Sequence, residues 1–130
     1  MDIHSNGLCK AERLNSKNVI DKLFEGNSKS FSVYPLRVVY MPVEIKGNIF
    51  ASILISVPKK RFKRAVKRNR VKRQIREAYR KNKYELLTVL NEKGYGLAMA
   101  FIYLSNELYP TERIEECTKK ILEKLIEKQQ

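Results

Sequence analysis

The chain contains no tryptophan, a single histidine, His4, two cysteines and two aspartates, Asp2 and Asp21. Each shortage removes a class of chemistry. Unaided hydrolysis calls for paired acid–base groups, usually histidines, or for carboxylates clustered around metal ions, and one His with two widely spaced Asp offers neither. Cys9 and Cys117 belong to no C-x-x-C pair and have only His4 to join them as a ligand, so a zinc site is not expected. A disulfide would staple the N-terminal arm to the last helix, but a reducing compartment and a place for Cys117 on an apolar helix face argue for two free thiols. No stretch approaches the roughly 20 apolar residues of a membrane span, and no basic-then-apolar leader opens the chain, which implies a cytoplasmic protein.

Positive charge is what the chain has in excess, and it is unevenly placed. Its 130 residues, 43% hydrophobic, suit one domain around a single core, while 32% charged lies above the usual quarter. The formal net charge is +13. Between Lys59 and Lys83 stand fourteen Lys or Arg and one acid, Glu77, whereas the rest of the chain balances at thirteen of each sign. A charge kept for solubility would be spread over the surface. Here it is focused into about a fifth of the length, the footprint of a polyanion site.

Residues 1–14 lack periodicity and read as an arm. A first helix should begin near Asn15 or Ser16, either of which can cap it, and end at Gly26, with Val19, Ile20, Leu23 and Phe24 on one face. From Ser30 to Met41 the pattern is a strand, broken or edged at Pro35, and Glu44 to Asn48 reads as a hairpin turn into a second strand, Ile49–Val57. The Ser52, Leu54, Ser56 side of that second strand leans polar and is expected to be partly open. Pro58 ends it, because proline has no N–H to donate. With no Gly or Pro from Lys59 to Lys93, the basic segment can form one long helix. Gly94 and Gly96 close it, Leu97–Leu104 is an apolar third strand, and Tyr109-Pro110-Thr111 opens a last helix whose Ile114, Cys117, Ile121, Leu122 and Leu125 should cover the sheet. Glu112, Glu115 and Glu116 should face water. The order α-β-β-α-β-α implies an α+β sandwich, with the strands flanking the basic helix parallel.

At about 100° per residue, Val71, Ile75, Ala78 and Tyr79 share one arc of the basic helix, while Asn69, Arg73, Arg76 and Arg80 share another with Arg70 at its edge. A hydrophobic edge for docking and a cationic edge for a partner are thus separated. One acid in the segment cannot neutralise it by intrahelical pairing, and arginine's planar fork suits bidentate phosphate contact. DNA would satisfy such charge as well as RNA.

Arg68-Asn69-Arg70, set in Ala65-Val66-Lys67-Arg68-Asn69-Arg70-Val71-Lys72-Arg73-Gln74-Ile75-Arg76-Glu77-Ala78-Tyr79-Arg80, resembles the signature of the bacterial ribonuclease P protein component. The strand Leu54-Ile55-Ser56-Val57-Pro58-Lys59-Lys60 and the first and last helices extend the likeness over nearly the whole domain. The resemblance implies a two-layer α-β-β-β-α-β-α sandwich with a mixed sheet and a left-handed βαβ crossover, and residues 15–128 as a single RNA-binding domain. It implies a non-catalytic protein subunit, monomeric within the ribonucleoprotein, beside a ribonuclease P RNA that uses Mg²⁺ to remove the 5′ leader of precursor tRNA. Lys59, Lys60, Arg68, Asn69, Arg70, Lys72, Arg73 and Arg76 would contact the catalytic RNA. Ile20, Phe24, Tyr34 and Arg37 would form a leader cleft between the first helix and the sheet, with Ile20 standing where many relatives place a Phe. Phe24 fits a core position equally well.

Two other classes compete. A structural ribosomal or other RNA-binding protein would use the same helix without a substrate cleft. A DNA-binding module is disfavoured, because strands separate the basic helix from its neighbours and no helix-turn-helix pair emerges.

Overall fold

A computed structural model describes residues 17–24, 28–44 and 50–129. Its elements are α1 (Lys17–Phe24), β1 (Lys29–Val33), β2 (Leu36–Val43), β3 (Ala51–Ser56), α2 (Ala65–Asn82), α3 (Tyr84–Lys93), β4 (Gly96–Tyr103) and α4 (Thr111–Gln129). The arm, the cap of the first helix, Gly26 and Cys9 lie outside the described residues. Pro35 divides the 30–41 stretch into β1 and β2, across a cis Tyr34–Pro35 peptide.

The four strands form one sheet in the order β1-β2-β4-β3. β1 and β2 pair antiparallel, as do β2 and β4, while β3 and β4 are parallel, as the crossover through the basic segment requires. The expected β2–β3 hairpin is not formed. β4 occupies the place between them, because its unbroken apolar run needs neighbours on both edges and cover on both faces. At the start of β4, Gly96 allows a close approach: a Cβ there would lie 3.0 Å from the Phe50 carbonyl oxygen, which accepts the Leu97 N–H at 2.9 Å.

One sheet face carries Leu36, Val38, Tyr40, Ala51, Ile53, Leu97, Met99, Phe101 and Tyr103, buried beneath α2, α3 and α4. The opposite face presents Val39, Ala98 and Ala100 to Leu23 of α1, the small alanines letting that short helix sit close. Ile114, Cys117, Ile121, Leu122 and Leu125 of α4 are all buried, as their spacing implies. Glu112 and Glu116 are exposed, and Glu115 half-buried. Cys117 is a free thiol that donates to the Val33 carbonyl at 2.9 Å, and burial pushes its pKa up.

The long basic helix is two helices. It starts at Ala65, after a turn over Pro58–Lys63, and breaks at Lys83, which is fully buried between α2 and α3. Neither glycine nor proline causes the break. Val71, Ile75, Ala78 and Tyr79 must face the core, and so must Leu86, Leu87 and Leu90, yet on one straight helix these two stripes would sit about 80° apart. A bend at Lys83 turns both inward. Gly94, at φ 82, then ends α3 in the left-handed conformation, its N–H donating to Leu90 O at 2.9 Å.

Candidate nucleic-acid interface

Helix α2 is held by its apolar stripe, in which Val71, Ile75 and Tyr79 are fully buried and Ala78 nearly so. Each large side chain so placed stabilises docking by about 1.5–3 kcal/mol. Gln74 adds a polar tether, donating from Nε2 to Tyr109 O and Thr111 Oγ1, both at 3.1 Å. With that face fixed, the remainder of the helix must point away from the core. Asn69, Arg70 and Arg73 are exposed, and Lys72 and Arg76 half-buried. Val66, not singled out by spacing, sits 79% exposed in the first turn of the same helix.

The cationic face is left largely unneutralised. Ion pairs on the segment join Arg80 to Glu77 and, at 4.0 Å, Lys81 to Glu115, both near the C-terminal end of α2. The Arg80 guanidinium holds the Glu77 carboxyl below its usual range, and the carboxylate in turn raises Arg80. Among the described residues no carboxylate pairs with Arg70, Lys72, Arg73 or Arg76. The N-terminus of α2 adds to this field. Arg64 stands at its cap without a side-chain bond and the first turn has no acid, so the positive end of the helix dipole is reinforced rather than offset.

Arg68 behaves differently from its motif partner. Its Nη1 donates to Phe62 O at 2.7 Å and Lys63 O at 2.8 Å, tying α2 back to the turn before it. Phe62 anchors that turn in the core against Tyr103, with ring centroids 5.9 Å apart. Lys59 and Lys60, both exposed, are carried on the same turn.

The second predicted group lies on the other face of the sheet. Ile20 is half-buried and packs on the α1 side with Met41, Leu54 and Ile102, while Phe24 is 52% exposed and so not a core residue. Arg37 projects from β2 and donates to Ser30 Oγ at 3.2 Å. Eight-residue α1 covers this face incompletely, leaving Ser52, Leu54 and Ser56 half-open as their alternation implied. Tyr34 is not part of this cleft: it sits in the β1–β2 turn, its hydroxyl hydrogen-bonded by Ser105 and Tyr109, which lower its pKa. Met41 and Ile102, partly buried on the same face, were not singled out from the sequence, because only strand pairing places them beside Leu54. A recess of about 250 Å³ between α3 and α4 contains none of the predicted residues.

The Ribonuclease P family profile matches residues 8–126. The chain belongs to the ribonuclease P protein component family. A ribonuclease P protein component from Porphyromonas gingivalis is 48% identical over 116 residues, spanning 89% of this chain and 84% of that one. One from Chlorobium phaeobacteroides is 34% identical, spanning 78% and 75%. Among solved structures, the ribonuclease P protein of Thermotoga maritima superposes with a TM-score of 0.68 at 22% identity, covering 87% of this chain and 96% of that chain. The Staphylococcus aureus protein gives 0.63 at 22% identity, covering 89% and 96%, and both likenesses bear on the fold alone. Membership makes the chain a bacterial component of the tRNA-processing ribonuclease P complex and a partner of ribonuclease P RNA. Among the described residues, no helix of this ribonuclease P protein is long and apolar enough to cross a membrane.

Proposed function

We propose that this chain is the non-catalytic subunit of ribonuclease P, binding the catalytic RNA through α2 and the 5′ leader of precursor tRNA on the α1 face of the sheet. The observation that carries the reading is the unpaired cationic face of α2 around Arg70 and Arg73, held outward by a fully buried opposite stripe. Such a surface repels itself in the free protein and gains from a phosphate backbone, where each neutralised phosphate releases counterions. The α1 cleft supplies the other requirement, an apolar floor with exposed Phe24 and Arg37 at hand for stacking and backbone contact with a single strand.

The chemistry is assigned to the RNA subunit and its Mg²⁺. Among the described residues no three His, Cys, Asp or Glu come together, and the chain's only His is His4. The protein's part is to bind, orient and screen charge, as a monomer within the ribonucleoprotein and in the cytoplasm. Reconstitution with the cognate ribonuclease P RNA tests this. Added protein should lower the Mg²⁺ concentration needed for cleavage and favour precursor over mature tRNA, and cleavage at low Mg²⁺ that ignores the protein overturns it.

A further inference from the structure

Tyr34 is 57% exposed in the turn between β1 and β2, a turn fixed to the end of β4 by the Leu104 N–H donating to Pro35 O at 2.8 Å. Beside it, Tyr109 carries the Arg113 guanidinium 4.7 Å from its ring centroid. Arg61, near enough to act electrostatically on Tyr34, reaches Asn106 Oδ1 with one Nη at 3.4 Å, while its Nε is buried without a partner among the described residues. Two tyrosines and two arginines therefore meet at the end of the sheet where β3 and β4 finish. The cluster adjoins the turn that carries Lys59 and Lys60, on residues that belong neither to the Arg68–Arg70 motif nor to α1.

Nothing in the core needs this arrangement. An aromatic ring more than half exposed gains nothing from water, and it is what an unpaired nucleotide would use, with the Nη atoms of the neighbouring guanidinium groups for its phosphate. A base stacking on an aromatic ring contributes about 1–3 kcal/mol whatever its identity, and a guanidinium matches a phosphate in geometry as well as charge. Glu107 also acts on Tyr34 and would repel a phosphate, which leaves the arginine side for it.

We propose that Tyr34, Tyr109, Arg61 and Arg113 form a separate single-nucleotide RNA site, in which an unpaired base stacks on Tyr34 and its phosphate is held by Arg61 and Arg113. The inference rests on the reading that this chain binds RNA. It adds contacts that neither the motif nor the cleft supplies.

The chain has no tryptophan, so Tyr34→Trp introduces a unique fluorophore at an exposed position. A short uridine oligoribonucleotide should quench it, and a duplex of the same length should not. In that background Arg61→Met and Arg113→Gln should each weaken half-saturation by roughly tenfold, the loss of one charged hydrogen bond. As a second measurement, Tyr34→Ala in the natural background should lower filter-retained oligonucleotide by a similar factor, whereas Tyr34→Phe, which keeps the ring, should not. Absent quenching together with unchanged oligonucleotide retention by Tyr34→Ala overturns the site, as does quenching lost only through Arg70→Gln and Arg73→Gln. Retention of ribonuclease P RNA measured alongside separates the two proposals: normal retention with no quenching sinks this site alone. Quenching by precursor but not leaderless tRNA assigns the leader to it, quenching by ribonuclease P RNA assigns that RNA, and quenching by neither overturns it.

Discussion

Arg68 and Arg70 stand two residues apart in one motif yet meet different surroundings. Arg68 spends its guanidinium on two carbonyls of its own chain, whereas Arg70 has no such partner and is exposed. Arg68→Ala should therefore lower stability by about 1–2 kcal/mol, the worth of charged hydrogen bonds that are partly solvated, and Arg70→Ala should stay within about 0.5 kcal/mol of the parent. Urea midpoints for the two variants check this, and equal midpoints would mean the Arg68 bonds do not hold the turn. Tyr103 offers a pH signature. Burial pushes it up to about 12 from 10.0. Below the unfolded value both states keep the proton. As pH rises from about 10 to about 12 the unfolded chain releases it and the folded chain does not, so stability falls through that window. Tyr103→Phe should flatten this decline in thermal midpoints, at a cost near neutrality of about 1 kcal/mol for the lost bond to Glu107 O, 2.6 Å in the parent. An undiminished alkaline slope would show that another group is responsible.

At the scale of elements, α2 and α1 divide the work between opposite faces of the sheet. Replacing Arg70, Arg73 and Arg76 together with Gln should weaken retention of ribonuclease P RNA and reduce its salt slope by up to about three phosphate contacts. An unchanged slope would place phosphate elsewhere. Glu77→Gln should act the other way, releasing Arg80 from its ion pair and steepening the slope by about one contact. Phe24→Ala belongs to the other face. Because Phe24 is exposed, the variant should fold with a urea midpoint close to the parent's, and lose affinity selectively for precursor tRNA bearing a leader. Equal loss with and without a leader would remove Phe24 from the cleft.

For the whole molecule, the decisive asymmetry is that a chain of net charge +13 keeps its surplus in one segment, and the fold presents that segment as a surface. The composition and the spacing of Val71, Ile75, Ala78 and Tyr79 determined this much: amphipathic periodicity fixes which side of α2 is buried, and therefore which arginines are not. The parallel pair around the basic segment and the buried stripe of α4 were equally legible, the first because a helical crossover returns the chain in the same direction, the second because its periodicity lies within one segment. Long-range pairing decided the rest. That β4 inserts between β2 and β3, that α2 and α3 bend apart at Lys83, that Tyr34 meets the 105–109 loop and Arg61 instead of Phe24, and that Arg68 is turned back onto its own chain all follow from which surfaces compete for the same core. Local pattern gives each segment's preferred face; only packing the segments together determines which faces meet.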